Sequence, residues 1–332
     1  MRKLINDPFA VVDEMLEGLV GAFPERLSMT GSGRGLLYTR RGPRRRAGIV
    51  VGGGSGHEPA FLGYLGHGLA DGVAVGNVFA APAATPAVEV ARAIGAEDGV
   101  LFLYGNYEGD VMNFDMATEL LADEGIRATT VLITDDVASG PPERPEERRG
   151  VAGSALVFKA AGARAEEGAG LDEVATAARL ANERTRTVGV ALGPCTVPAA
   201  GEPTFELDEG EMDLGMGVHG EAGMERLGLP GGDEVADRLL ELLIADRPPC
   251  DGEPLAVLVN LLGSTPLMEG FILLRRVLDR LRAEGVAVHR ALVGEYLTSL
   301  EMTGASLTVM HLDDELRRLI DAPCAPLVGP AW

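Results

Sequence analysis

Short apolar runs alternate with amphipathic stretches along the first part of the chain. The strand-length runs cover residues 47–51, 99–104 and 129–134, and stretches with helical spacing lie between them at 85–94 and 112–124. Neighbouring parallel strands need a long crossover connection, which is usually a helix. This alternation therefore predicts an α/β fold built on a mostly parallel sheet.

A second series of apolar runs follows two helical segments at 153–166 and 171–183. Its strands are predicted at residues 187–191, 255–261, 286–293 and 306–312, with helices at 233–244 and 266–284. A chain of 332 residues is also too long for one ordinary core. We therefore predict two α/β domains, residues 1–184 and 185–332, with mostly parallel or mixed sheets and the substrate site in the cleft between them.

The charge balance and the lysine content argue against several classes of function. The formal net charge of −21 repels phosphate backbones, so nucleic-acid binding is not expected. Lys3 and Lys159 are the only lysines and neither lies in a motif, which argues against a Schiff-base or phosphate-cradling lysine. No stretch approaches the roughly 20 apolar residues that span a bilayer, and the amino terminus lacks the apolar run of a signal peptide. We expect a cytoplasmic protein without membrane contact.

The first candidate site is the sequence GGGSGHEP at residues 52–59, directly after the apolar run that ends at Val51. Glycines at the carboxyl end of a strand let the backbone approach a ligand, and parallel sheets bind ligands at that edge. A tight turn would explain the glycines equally well, but His57 adds a side chain that can donate or accept a hydrogen bond. The motif is neither a Walker A loop nor a dinucleotide fingerprint, so it does not predict nucleotide binding.

Asp110 follows the next predicted strand, in the sequence GNYEGDVMNF at residues 105–114. It comes just before a helix predicted to begin near Val111, where an aspartate commonly serves as the N-cap. Its position at the same sheet edge as His57 supports another role, because a carboxylate there can accept a proton from a substrate hydroxyl. We favour this second role.

His219 lies in the sequence GMGVHGEAG at residues 215–223, inside a Gly-, Pro- and Glu-rich segment, 197–232, that is typical of a long functional loop. The flanking glycines supply no side chains to pack against it, so we expect it to face a cleft. An exposed imidazole can act as a base, a nucleophile or a metal ligand. The three histidines outside the two motifs show no metal-ligand spacing with it, so no metal site is predicted.

In this order and with these gaps, the three motifs resemble the DhaK family, the dihydroxyacetone-binding subunits of bacterial dihydroxyacetone kinases. The similarity covers nearly the whole chain and is far more specific than any single motif. It also includes RKLIND at 2–7, RRGVA at 148–152, ALGPCTVPAAG at 191–201, NLLGSTPL at 260–267 and TSLEMTG at 298–304.

The resemblance implies a role for each motif. A histidine at the position of His219 attacks the carbonyl carbon of a small ketose and forms a hemiaminal. His57 and Asp110 then hold the substrate hydroxyls, with Asp110 as the base for the hydroxyl that is phosphorylated. Gly54 and Ser55 supply backbone contacts.

The resemblance also implies how the phosphate arrives. In this family a separate helical partner, DhaL, holds ADP or ATP with magnesium, and the DhaK subunit holds no nucleotide. We accordingly expect no cofactor on this chain, Mg-ATP or ADP on a DhaL-type partner, and a homodimer. The implied function is the substrate-binding subunit of a dihydroxyacetone-type kinase, a phosphotransferase that is active only with its partner.

The chain departs from the family pattern at two places. Gly105 stands where a lysine is common, and Ala80-Ala81 stand where Thr-Ser is common. The glycine is expected to open space and to remove a donor at the substrate site. Dihydroxyacetone is placed first as the substrate, and a four-carbon ketose such as erythrulose is placed second.

Two rival functions compete with the kinase subunit. A ketose-binding co-regulator would use the same site but transfer no phosphate, and retention of His57, Asp110 and His219 favours the enzyme over it. A dinucleotide-dependent enzyme is disfavoured because the glycine fingerprint of such enzymes is missing.

Overall fold

The computed structural model of the protein describes residues 3–40, 42, 45–250, 252–329 and 332. The first residue of the RKLIND motif lies outside the described residues. The helices are α1 Val11–Ala22, α2 Ala84–Ile94, α3 Glu108–Asp123, α4 Ser154–Glu166, α5 Leu171–Glu183, α6 Gly232–Asp246, α7 Leu267–Ala283 and α8 Asp314–Asp321. The strands are β1 Leu27–Met29, β2 Gly35–Tyr38, β3 Gly48–Ser55, β4 Gly66–His67, β5 Gly72–Val78, β6 Val100–Gly105, β7 Ala128–Ile133, β8 Thr185–Gly193, β9 Glu211–Leu214, β10 Glu225–Gly228, β11 Leu255–Leu261, β12 Val288–Gly294, β13 Thr303–His311 and β14 Ala325–Pro326.

Most of the strands form two six-stranded sheets, and both sheets are mixed. In the first, of order β1-β2-β5-β3-β6-β7, the strands β5, β3, β6 and β7 are parallel. In the second, of order β10-β9-β8-β13-β11-β12, the parallel pair is β11 and β12, which the helix α7 connects, and the other described pairs are antiparallel. The prediction of two α/β domains with mostly parallel or mixed sheets is confirmed.

The two sheets enclose a central layer of helices. The helices α4 and α5 pack between the inner sheet faces, while α2 and α3 cover the outer face of the first sheet and α6 and α7 cover that of the second. Small residues allow α4 to be buried along most of its length. A Cβ atom on Gly162 of this helix, for example, would lie 2.3 Å from the carbonyl oxygen of Gly68. As a result, α3 and α7 lie on opposite outer faces of the molecule.

The structure differs from the sequence prediction at two element ends that border the candidate site. Strand β3 continues through the glycines to Ser55, so residues 52–55 are strand and not loop. Helix α3 begins at Glu108, earlier than predicted, with Tyr107 at the N-cap position. Asp110 therefore lies inside the first helical turn, and the interpretation of this residue as a helix cap is wrong.

Several short elements have no counterpart in the sequence prediction. The segment 197–232, predicted as a long loop, contains the hairpin of β9 and β10. Strand β8 was predicted at 187–191 but is longer, and it begins at Thr185, the residue at which the second domain was predicted to begin. The end of the chain returns to the first half, because α8 packs against α4 and β14 pairs with β4. None of the described helices is long and apolar enough to cross a membrane.

Candidate active site

A small cavity of about 30 Å³ lies where loops from both halves of the chain meet. The first sheet contributes the carboxyl ends of β3 and β6 with the residues that follow them. The second sheet contributes the loop after β9 and the loop between β12 and β13. Five of the six residues proposed from the sequence line this cavity, namely Gly54, His57, Gly105, Asp110 and His219.

His57 is buried at the end of β3. Its Nδ1 atom lies 2.7 Å from the carbonyl oxygen of Thr298. A carbonyl oxygen only accepts, so Nδ1 carries the hydrogen, and Nε2 presents a lone pair whenever the ring is neutral. Burial and the neighbouring His219 lower the pKa of His57 to about 3. The ring is therefore neutral at physiological pH.

Phe79 holds the two histidine rings in a fixed relation. Its ring stacks on that of His57 with the centroids 5.0 Å apart, and it meets the ring of His219 edge-on at 5.2 Å. The backbone of Phe79 is left-handed, with φ of 55°, which is uncommon for a residue other than glycine. Such conformations persist where the surrounding structure holds them, and they cluster at functional sites.

His219 reaches the cavity from a tight turn in the loop after β9. Gly220 has φ of 88°, and its N–H donates to the carbonyl of Gly217 at 3.0 Å, which closes the turn. A Cβ atom on Gly217 would lie 2.2 Å from the Oε2 atom of Glu221. The glycines around the histidine therefore shape its turn and leave room for a carboxylate beside it.

Glu221 binds His219 through both carboxylate oxygens. Oε1 accepts from the ring Nδ1 at 2.9 Å, and Oε2 accepts from the backbone N–H at 2.9 Å. Burial acts to raise the pKa of Glu221, but the hydrogen bonds and charge of His219 outweigh it and lower this pKa to about 2. The ionised carboxylate keeps the hydrogen of His219 on Nδ1, so a neutral ring has its lone pair at Nε2.

The two histidines meet at their Nε2 atoms, which are 3.0 Å apart. Because both Nδ1 atoms act as donors, both Nε2 atoms are acceptors when the rings are neutral. Two facing acceptors need either one extra proton or a ligand group between them. A ligand that offers a carbonyl carbon to one nitrogen and a hydroxyl to the other would satisfy both.

Asp110 presents an unpartnered carboxylate oxygen. Its Oδ1 atom is buried and has no hydrogen-bond partner in the described part of the chain. Burial raises the pKa of Asp110 to about 7, against weaker opposing effects of His219 and a backbone hydrogen bond. Since buried polar atoms normally have partners, this oxygen marks a position for a ligand donor. A carboxyl group that titrates near neutral pH is suited to act as a general base.

The two predicted residues of β3 differ in their orientation. Gly54 lines the cavity, and a Cβ atom on it would lie 2.8 Å from the backbone nitrogen of Ala80. Ser55 does not line the cavity, and its hydroxyl donates to the carbonyl of Gly76 at 2.8 Å within the first sheet. Of this pair, Gly54 is the one in position for a backbone contact with a ligand.

The space expected beside Gly105 is not open. A Cβ atom on this glycine would lie 2.9 Å from the ring of Tyr107. The hydroxyl of Tyr107 donates to the carbonyl of Gly150 at 3.1 Å, which holds the ring in place. The expectation that glycine enlarges the site at this point is therefore corrected: the tyrosine ring occupies the room that a side chain would have taken.

Three functional side chains were missed from the sequence. Glu221 could have been found from its spacing, because a carboxylate two residues after a histidine can reach the ring. Tyr107 lies in a motif that the sequence analysis singled out, but its packing against Gly105 depends on the turn after β6. No sequence signal indicates the left-handed backbone of Phe79.

The arrangement places two imidazole rings and one carboxyl group around one small cavity. The remaining wall includes the apolar residues Phe61, Val218 and Leu297 and also Ser154, whose buried hydroxyl has no hydrogen-bond partner in the described part of the chain. The described residues contain no group of three or more His, Cys, Asp or Glu side chains that could hold a metal ion. The groups around the cavity can bind a carbonyl compound covalently and remove a proton from its hydroxyl.

The chain matches the family model described as the Dak1 domain over residues 17–327. It is 46% identical over 325 residues to the dihydroxyacetone-binding subunit DhaK of a PTS-dependent dihydroxyacetone kinase from Listeria innocua, and 98% of each chain is covered. It is 43% identical to an L-erythrulose 1-kinase from Mycolicibacterium smegmatis, with 97% of this chain and 57% of that enzyme covered. The erythrulose kinase therefore has a large region that this chain does not match.

A solved structure described as the dihydroxyacetone kinase operon co-activator Dha-DhaQ has a similar fold. The TM-score is 0.87 at 31% sequence identity, and the match covers 94% of this chain and 96% of the co-activator. Proteins with this fold therefore include one named as a co-activator.

Proposed function

This chain belongs to the Dak1 domain family, and from that premise we propose that it is the substrate-binding subunit of a phosphotransferase for small ketoses, with dihydroxyacetone as its first substrate. The observation that carries the proposal is the convergence of His219, His57 and Asp110 on one cavity. The identity of 46% with a dihydroxyacetone-binding subunit over nearly the full chain supports the same class of substrate.

In this proposal the ketose is held by a covalent bond to His219. The Nε2 lone pair of the neutral ring attacks the carbonyl carbon and forms an N–C bond, while the electron pair of the carbonyl double bond moves to its oxygen, which takes up a proton. The Nδ1 proton stays on the ring, so the ring in the adduct carries a positive charge, which the ionised carboxylate of Glu221 balances across 2.9 Å. Glycerol has no carbonyl group and should bind poorly.

His57 and Asp110 have different tasks toward the bound ketose. The low pKa of His57 keeps its Nε2 atom an acceptor, so this nitrogen positions a substrate hydroxyl without taking its proton. Asp110 has a free oxygen and titrates near pH 7, so it acts as the base for the hydroxyl that receives the phosphoryl group.

In this proposal a separate protein holds the nucleotide. The chain has no Walker A or dinucleotide motif, and its net charge of −21 disfavours a polyphosphate. We propose that a DhaL-type subunit carries Mg-ATP or ADP to the site, and that the chain alone neither turns over ketose nor binds ATP. Calorimetric titration with Mg-ATP should give no measurable heat of binding. A micromolar dissociation constant would contradict this part of the proposal.

Two competing functions rest on specific observations. The similarity to an L-erythrulose 1-kinase favours a four-carbon ketose as a competing substrate. The similarity in fold to a co-activator favours a ketose-binding regulator that transfers no phosphate. The paired histidines would suffice for binding, whereas Asp110 with its raised pKa favours the enzyme, because a sensor needs no base.

One experiment separates these functions. The purified chain is combined with a DhaL-type subunit, Mg-ATP and either dihydroxyacetone, erythrulose or glycerol, and both ketose binding and ketose phosphate are measured. We expect phosphorylation of the ketoses and none of glycerol. Ketose binding without phosphorylation would identify the co-regulator, and the absence of both would contradict the proposed function.

We further propose a homodimer that acts in the cytoplasm. Sedimentation equilibrium of the purified chain tests the oligomeric state, and a monomer at micromolar concentration would contradict it.

A further inference from the structure

We infer that the exposed face of α3 is a docking surface for the nucleotide-carrying partner protein. This inference rests on the proposed function and adds the place at which the partner binds. The surface consists of Met112, Met116 and Leu120, here called the α3 stripe, with Asp115 and Glu119 beside it.

The α3 stripe is an apolar surface without cover in the described structure. Met112 is 71% exposed, Met116 is 54% exposed and Leu120 is 44% exposed. Their spacing of four residues places them on one face of the helix. The opposite face packs on the first sheet through Phe114 and Leu121. Contiguous exposed apolar side chains mark interaction sites, and flexible methionines suit a protein partner.

The stripe begins at the end of α3 that borders the active site, but on the other side of the helix, because residues two apart project about 200° from each other. Asp110 lies in the first turn of α3, two residues before Met112, and its carboxylate lines the cavity. A phosphoryl donor has to come within roughly 3 to 3.5 Å of the hydroxyl that Asp110 deprotonates. The partner that carries the nucleotide must therefore cover this end of α3, and the stripe extends its contact along the helix.

The charge beside the stripe indicates the chemistry of the partner. Asp115 and Glu119 are exposed, and neither forms an ion pair within the residues that the structure describes. An apolar patch bordered by basic side chains would complement this surface. Opposite charges around a docking site mainly accelerate association and make it sensitive to salt.

A paired set of variants tests the inference. Met112→Glu with Met116→Glu places charge in the stripe, and Met268→Glu is the matched control, because Met268 is 74% exposed but lies on α7 at the opposite face of the molecule. The titrant is a DhaL-type subunit loaded with Mg-ADP. We expect the stripe variant to weaken association at least tenfold, while its ketose affinity and melting temperature stay at the parent values. The control should associate like the parent.

The outcomes distinguish this inference from the proposed function. Parent-like association of the stripe variant, or an equal loss in Met268→Glu, would overturn the docking surface while leaving ketose binding intact. Failure of the parent chain to bind ketose or the DhaL-type subunit would overturn the proposed function itself. A milder pair, Met112→Ala with Met116→Ala, repeats the test if the glutamates lower the melting temperature, and it should weaken association by a smaller factor.

Discussion

The two halves of the molecule each supply one histidine to the same cavity, in opposite surroundings. His57 is buried on a strand end and faces a carbonyl oxygen, whereas His219 lies on a glycine turn and faces an ionised carboxylate. Environments that differ in this way separate the chemical roles of identical side chains. In the proposed mechanism, the first half supplies a neutral acceptor and, through Asp110, a base, while the second half supplies the nucleophile.

The same contrast appears in how each half holds its site residue. His57 follows the end of β3 by two residues and is held by the Thr298 carbonyl and by Phe79, while His219 depends on a turn closed by Gly220 and on Glu221. Rigid elements position catalytic groups accurately, and loops allow a ligand to enter. We expect the second half to be the one that moves when the ketose binds.

The largest expected effect separates transfer from binding. Asp110→Asn should slow phosphate transfer by about 10²-fold or more, the usual contribution of a positioned base, while the ketose still binds to His219. Steady-state kinetics with a DhaL-type subunit and calorimetry with ketose measure the two effects. Asp123→Asn at the exposed end of the same helix is the control. Unchanged turnover in Asp110→Asn would show that Asp110 is not the base.

The pH dependence of the rate sharpens the assignment. Asp110 must be ionised to accept a proton, so turnover should rise as pH increases through about 7. This rise should be absent in Asp110→Asn.

The raised pKa of Asp110 also affects stability. The folded protein binds a proton at this group more readily than the unfolded chain does, so the free energy of unfolding falls as pH rises from the ordinary pKa of aspartate to about 7. Asp110→Asn should therefore raise the melting temperature more at pH 8 than at pH 5. The opposite order would contradict the burial of this carboxyl group.

A smaller effect tests the second half. Glu221→Gln removes the charged partner of His219 and should weaken ketose affinity by about tenfold, as loss of a hydrogen bond to a charged group commonly does. Turnover of bound ketose should change less than affinity does. Glu225→Gln, an exposed glutamate at the start of β10, serves as the control. If Glu221→Gln lowered turnover and left ketose affinity unchanged, the proposed division, in which the second half binds the ketose and the first half supplies the base, would be wrong.

The smallest expected effect concerns substrate length. Tyr107 occupies the space beside Gly105, so the cavity should favour dihydroxyacetone over erythrulose, by less than about tenfold, since one added carbon with its hydroxyl gives modest discrimination. The ratio of kcat/KM for the two ketoses measures it. A strong preference for erythrulose would mean that Tyr107 moves when the substrate binds.

The sequence predicted much of this fold because its strongest signals are local. Apolar periodicity located α5 and β11 at the bounds they have in the structure, and glycine-flanked histidines indicated the site residues. The packing of Tyr107 on Gly105 and the orientation of Ser55 depend on contacts between segments, which periodicity does not encode. The return of α8 to the first half was missed because such a short helix carries no information about its partner.

The covalent bond to His219 is the central claim, and a crystal of the chain soaked in dihydroxyacetone tests it most directly. We predict continuous electron density from the Nε2 atom of His219 to the carbonyl carbon, with the direct contact between the two Nε2 atoms replaced by the ligand. Ketose bound with a clear gap to His219, or bound as tightly in His219→Ala as in the parent, would contradict the account.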